Sequence, residues 1–288
     1  MLQNSAMLVD LNISVWTGRK MDKKVADEID AAKNTKAKAG NYSKHLLAGT
    51  KKLEDLQKLV SAIRVWHYEQ TLPWSDSGSR LLPMSNFFDY KATLNDYEKQ
   101  FNELVAEFLT DYDTLVTAAA FQLGDLFDKD DYPTALRVST KFNMKYVFLP
   151  VPEAGDFRVD VGEAGRAELR EQYEKFYGDK LNEALQDAWT RLHECVKHMS
   201  EKLADSATPR MTKEGPNSTQ IFRDSLMTNA YDLCSLLTKL NVTNDPKLEQ
   251  ARQRLEAAIS GKCADDLRKS DEVRMQTKAK IDEILSYF

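Results

Sequence analysis

The sequence has few of the residues and segments that mark secreted or membrane proteins. Among its 288 residues there are three cysteines, with no CxxC pair: Cys195, Cys234 and Cys263. This sparse, odd set, with no secretory signal in the segment from Met1 to Asp10, predicts reduced thiols in a cytoplasm. No apolar run approaches the roughly 20 residues that cross a bilayer, so we expect no contact with a membrane. The formal net charge of −5 argues mildly against general nucleic-acid binding, although a net figure can hide a local basic patch.

The sequence also lacks the motifs of several common chemistries. There is no GxSxG motif for a serine nucleophile. The segment Gly49 to Lys52 resembles the end of a phosphate-binding loop, but no glycine and no strand precede it as such a loop requires. The carboxylates from Asp125 to Asp131 lack the ligand spacing of a calcium loop, and His193 and His198 are too far apart around a helix to share a metal ion. We therefore predict no catalytic residue, cofactor or metal site. The prediction is that the protein is not an enzyme, with an unfamiliar enzyme left open.

Two long apolar stripes dominate what is present. Their steps of three to five residues place each stripe on one face of a helix. The first predicts a helix over 87–127 and contains Leu94, Tyr97, Phe101, Leu104, Phe108, Tyr112, Leu115, Ala119, Leu123 and Leu126. The second predicts a helix over 163–207 and contains Leu169, Tyr173, Phe176, Leu181, Ala184, Ala188, Leu192, Val196, Met199 and Leu203. Because stripes of this length can bury each other, we predict a long antiparallel helical pair, packed like a coiled coil, in an elongated molecule.

Shorter patterns complete a mainly α fold class. We predict a small three-stranded antiparallel sheet at one end of the helical pair, from strands near 8–16, 144–150 and 156–161. Further helices are predicted over 22–32, 46–68 and 133–142, and C-terminal helices over 219–240, 246–259 and 263–287. The proline- and glycine-containing segment 208–218 predicts a linker between an elongated domain, 1–207, and the C-terminal helices, 219–288. Whether those helices pack on the long pair or form a separate unit stays open.

The segment from Thr71 to Met84 contains prolines, a glycine, serines and a tryptophan, which predicts an ordered loop. Trp74 in this loop has two interpretations. Buried, it closes a helical bundle; exposed, it anchors a partner.

One stretch of the chain is strongly basic. Between Ala31 and Leu53 there is no acidic residue, but there are six lysines: Lys33, Lys36, Lys38, Lys44, Lys51 and Lys52. The simpler interpretation is a solvated linker with lysines at helix ends. The alternative is a nucleic-acid-binding surface over 19–52, in which these lysines, with Arg19 and Lys20, neutralise phosphates.

Three segments form a distinctive set: VWTGRK from Val15 to Lys20; TLPW and RLLP within 71–83; and PVPEAGDFRVDVG from Pro150 to Gly162. Together they resemble an uncharacterised family of phage and bacterial proteins, catalogued as a domain of unknown function. The resemblance covers roughly 8–203. Members of that family are often encoded near MoxR-like AAA+ ATPases and von Willebrand-type partners. The resemblance therefore implies a phage-type protein in the host-cell cytoplasm that works with such an ATPase.

We therefore expect a non-enzymatic adaptor or assembly protein with a protein partner. Its candidate contact residues are Arg19, Lys20, Trp74, Asp156, Arg158 and Asp160. For Arg158 the simpler interpretation is an exposed ion pair across the strands. Besides nucleic-acid binding, a second alternative is an inhibitor of a host defence protein that uses the acidic surface from Asp125 to Asp131. Tyrosines on the long stripes also predict a homo-oligomer.

Overall fold

The structure, a computed structural model, describes residues 5–76, 78–152, 162–205, 210–212, 215–217 and 223–288. The chain is 68% helical with a small antiparallel sheet and C-terminal helices, which confirms the mainly α fold class. The helices are α1 (Lys23–Ala32), α2 (Lys51–Gln70), α3 (Phe87–Leu123), α4 (Ala135–Ser139), α5 (Gly162–Asp205), α6 (Ser225–Leu240), α7 (Pro246–Ile259), α8 (Ala264–Lys269) and α9 (Asp271–Leu285). The strands are β1 (Ala6–Ser14), β2 (Arg19–Asp22), β3 (Tyr42–His45), β4 (Leu72–Pro73), β5 (Arg80–Pro83), β6 (Asn143–Leu149), β7 (Arg210–Thr212) and β8 (Gly215–Asn217). Over the described ranges, no helix combines the length and the apolar character needed to cross a membrane.

The chain divides into two compact units. The first unit contains Met1–Asp10, Glu69–Phe88 and Phe148–Phe288. The second unit contains Leu11–Tyr68 and Asp89–Val147. The helices α5 to α9 therefore lie in one unit, and most of α3 lies in the other. The β7–β8 pair falls inside 208–218, where we predicted a linker; the predicted domain division at that linker stays a prediction.

The core of the first unit forms around the second half of α5. Six residues of the predicted stripe are buried there, at steps of three or four: Ala184, Ala188, Leu192, Val196, Met199 and Leu203. They belong to a cluster that includes buried residues of α6, α7 and α9, and α5 contacts each of these helices. We predicted α3 as the partner of this stripe; the helices that cover it are instead α6, α7 and α9. Apolar residues recur at helical spacing on α6, α7 and α9, so each of these helices has an apolar face. When these faces pack on α5, apolar surface is buried on both partners.

The main sheet has four strands in the order β4-β5-β1-β6. Within the first unit, β1 pairs antiparallel with β5, and β5 pairs antiparallel with β4. The segment 71–84, predicted as a loop, therefore supplies two short strands, because Leu72, Leu81 and Leu82 bury their side chains from it. Of the three predicted strands, β1 and β6 are present, and 156–161 lies outside the described residues.

The second unit has an aromatic core beside a separate two-stranded sheet. Trp16 packs its ring 6.3 Å from that of Phe108 and 5.9 Å from that of Tyr112, both on α3. The two-stranded sheet pairs β2 with β3 in antiparallel register, from Arg19 opposite His45 to Asp22 opposite Tyr42. No strand was predicted for either segment, because four residues are too few to show an alternating pattern.

Candidate functional site

The second unit holds a buried ionic cluster centred on Lys44. The Lys44 side chain is only 6% exposed, and its ammonium nitrogen lies 2.7 Å from Asp131 Oδ2 and 3.1 Å from Asp22 Oδ2. It also donates a hydrogen bond of 2.8 Å to the carbonyl oxygen of Leu126. Lys20 contacts the other carboxylate oxygen of Asp131. An ammonium group has three donors, so Lys44 is fully satisfied inside the protein.

The local folding of three segments brings these charges together. Asp22 ends β2 and caps α1, where its side chain accepts from the backbone N–H of Val25. Lys44 lies two positions from Asp22 along the paired strands, opposite Lys20. The segment after α3 carries Asp131 and is held to the end of β3 by a 2.6 Å hydrogen bond from the Tyr132 hydroxyl to the Leu46 carbonyl.

The electrostatics of the cluster favour the charged forms. Burial of Lys44 acts to lower its pKa, but its hydrogen bonds with Asp131 and Asp22 outweigh burial and hold the pKa above its ordinary value of 10.5. Burial acts to raise the pKa of Asp131, but Lys20 and Lys44 outweigh burial and hold it below 3.8. The pKa of Asp22 is lowered mainly by its hydrogen bond with Lys44. The cluster is therefore two ammonium groups balanced by two carboxylates.

The basic stretch is divided between internal and exposed lysines. Lys44 is buried. Lys52 forms an ion pair with Asp111 on α3, and the hydrogen bond between the two side chains raises the pKa of Lys52. The other four side chains predicted to bind nucleic acid are exposed: Lys33, Lys36, Lys38 and Lys51. Two of the six lysines are thus already engaged by carboxylates of the same unit.

The described members of the predicted partner-binding set lie on different elements and differ in exposure. Arg19 and Lys20 lie on β2 in the two-stranded sheet. Arg19 is exposed, and Lys20 contacts Asp131. Trp74 is 5% exposed and packs its ring 5.4 Å from that of Tyr177 in the core of the first unit, as the burial interpretation expected. The remaining three, Asp156, Arg158 and Asp160, lie outside the described residues.

Sequence reasoning missed an aromatic surface in the first unit. Phe88 is 79% exposed, and its ring lies 5.3 Å from that of Phe87, which lies 5.3 Å from that of Phe148. Met84 is also exposed, and it precedes Phe88 by about one helical turn. We call Met84, Phe87, Phe88 and Phe148 the Phe88 surface. Its sequence signal was the Phe87-Phe88 pair, because consecutive residues of a helix cannot both lie at the centre of one buried stripe.

A small pocket of about 170 Å³ lies beside the start of α2. It is lined by Gly18 and Gly49, both with positive φ, and by His45, Leu53 and Glu54. The carboxylate of Glu54 disfavours a phosphate there.

Two of the three thiols of the first unit, those of Cys195 and Cys234, are poor nucleophiles. Burial raises the pKa of Cys195 to about 11 and that of Cys234 to about 12. Cys263 is exposed. The thiolate is the reactive form of cysteine. Near neutral pH, Cys195 and Cys234 are almost entirely in the protonated thiol form, which is unreactive. Among the described residues, no three histidine, cysteine or acidic side chains are grouped closely enough to hold a metal ion.

Comparison with known proteins gives no relative for this chain: no protein-family model matches it, and neither a curated protein nor a solved structure does.

Proposed function

We propose that the protein is a non-enzymatic adaptor or assembly component that docks a protein partner. The observation that supports this most directly is the Phe88 surface. Aromatic residues and methionine are enriched in protein interfaces, where a few buried aromatic anchors supply most of the binding energy. Three phenylalanines in contact, one of them 79% exposed, offer such an anchor.

The partner we propose is a larger machine such as an AAA+ ATPase. This part of the proposal rests on the resemblance described above and on no contact in the structure.

The test is affinity capture of the tagged protein from its native cells, at low and at high salt. We expect a stoichiometric protein partner that survives high salt, because an aromatic contact is weakly screened. The variant Phe88→Ala should lose that partner. The matched control is Phe121→Ala, which removes an 88% exposed phenylalanine from α3. Equal capture by Phe88→Ala and by the unchanged protein would refute the role of this surface.

Nucleic-acid binding is the second candidate function, and the four exposed lysines of the basic stretch favour it: Lys33, Lys36, Lys38 and Lys51. An electrophoretic shift with single- and double-stranded DNA at two salt concentrations tests it. Phosphate contacts release counterions, so binding through these lysines must weaken steeply as salt rises. No shift at low salt would end this hypothesis.

A further inference from the structure

Two aromatic residues that follow α9 lie on side chains of α5 and α7. The Phe288 ring lies 5.4 Å from that of Trp189, edge to face, and 4.9 Å from that of His193. The guanidinium carbon of Arg254 lies 4.3 Å from the centre of the Tyr287 ring. Both kinds of contact are favourable, since a ring edge is attracted to a ring face and a cation to the face of a ring.

The Trp189 side chain, on which Phe288 packs, is itself held in place by other residues of the first unit. Trp189 packs against the buried cluster of the first unit, and its indole N–H donates a 3.1 Å hydrogen bond to Asp245. Asp245 also caps α7, where its other carboxylate oxygen accepts from the backbone N–H of Lys247. The indole is therefore fixed in position before anything packs on it.

The two aromatic residues stay partly exposed in this position. Tyr287 remains 54% exposed and Phe288 remains 46% exposed. One guanidinium nitrogen of Arg254, Nη1, is buried and has no hydrogen-bond partner among the described residues. A buried donor without an acceptor is costly, so this position favours a ligand that brings an oxygen.

We propose that Trp189, His193 and Arg254 form a peptide-binding site, which Tyr287 and Phe288 of the same chain occupy. We call these three residues the Trp189 site. The present occupant indicates the class of ligand, a peptide with two consecutive aromatic side chains. A ligand that also brings a carbonyl or carboxylate oxygen within reach of Arg254 Nη1 would gain a hydrogen bond that Tyr287 and Phe288 do not supply. Such a peptide from a partner competes with Tyr287 and Phe288, so the two residues act as an internal cover. The Trp189 site shares no residue with the Phe88 surface, and the inference does not rest on the proposed function.

The experiment uses the full chain and a fluorescein-labelled peptide, EILSYF, that copies residues 283–288. Fluorescence anisotropy measures binding to the unchanged protein and to the double variant Tyr287→Ala/Phe288→Ala. We expect the double variant to bind the peptide at least tenfold more tightly, because its site is vacant. The matched control is Met275→Ala, which removes an exposed side chain from α9 and should bind as the unchanged protein does.

Two further measurements establish which groups are responsible. A peptide with both aromatic residues replaced by alanine should not bind. Adding Arg254→Gln to the double variant should weaken binding at least fivefold, whereas adding Gln253→Ala should not. Phe288→Ala alone, which retains Tyr287, should bind with intermediate affinity and remains informative if the double variant does not fold. Equal affinity of the unchanged protein and Phe288→Ala, or no binding to any vacated variant, would overturn the proposal.

Discussion

Replacing Lys44 with methionine should destabilise the second unit far more than replacing any exposed lysine. Methionine retains an unbranched, largely apolar chain but removes the ammonium group that contacts Asp22, Asp131 and the Leu126 carbonyl. Removing one partner of a buried ion pair leaves the other charge without compensation, which costs 3–5 kcal/mol in typical cases. Lys20 still contacts Asp131, so we expect a loss near the lower end, about 3 kcal/mol.

Urea denaturation, followed by tryptophan fluorescence, measures this loss as a change in the free energy of unfolding. Two control variants separate burial from charge. Lys33→Met removes an exposed lysine and should change the free energy of unfolding by less than about 0.5 kcal/mol. Lys20→Met removes a side chain that is 48% exposed, and it should cost no more than about 1 kcal/mol. The reasoning fails if Lys44→Met stays within the range of these two controls.

The double variant Lys44→Met/Asp131→Asn tests the cause of the loss. If the loss comes from an uncompensated carboxylate, neutralising Asp131 as well removes part of it. The double variant should then lose less stability than the sum of the two single variants. Strict additivity would show that Lys44 acts through packing alone.

Three other changes test separate features. Gly18→Ala should cost about 1–3 kcal/mol, because Gly18 has φ +60° and an added Cβ would lie 2.6 Å from a buried leucine methyl group; Gly40→Ala, with open space around it, should be nearly neutral in the same urea assay. The ion pairs of Asp131 hold its pKa below 3.8 when folded, so the stability it contributes is present above about pH 4 and is lost as the pH falls through the folded pKa. Asp131→Asn should therefore flatten the fall in melting temperature between pH 5 and pH 3, and an unchanged slope would contradict this cause. Leu192→Ala should cost about 2–5 kcal/mol through a cavity under α5, whereas Leu136→Ala, at an exposed position, should change melting little.

The helices could be predicted from the sequence because long periodic stripes determine them locally. The helices α3 and α5 begin within one residue of the predicted starts at 87 and 163. Asp22 could be identified as the cap of α1, since a carboxylate before an amphipathic segment satisfies the first backbone N–H groups. The partner of α5 could not be predicted. An apolar stripe indicates that another element must cover it, but it does not indicate which one. Both α3 and the C-terminal helices have apolar faces that could pack against it.

The sites were harder to predict than the helices, because their contacts join segments far apart in the chain. The ionic cluster brings residues 20–44 against residues 126–131, and neither segment alone indicates the other. The Phe88 surface had a local signal, the Phe87-Phe88 pair, which the strength of the α3 stripe concealed. The Trp189 site had none, since Trp189 and Phe288 are both ordinary helix-associated aromatic residues until α5 and α9 pack together.

The basic stretch shows how an excess of one charge in a segment can be partly balanced within the same folded unit. Residues 11–68 contain twelve lysines and arginines and six acidic residues, whereas residues 89–147 contain six and eleven. Both segments belong to the second unit, and ion pairs link them: Lys20 and Lys44 with Asp131, and Lys52 with Asp111. Opposite excess charges on two segments of one folded unit attract each other before any external ligand is present. An excess of lysine in one segment therefore calls first for a search for a matching acidic segment, and only the lysines left exposed after that pairing are candidates for binding phosphate.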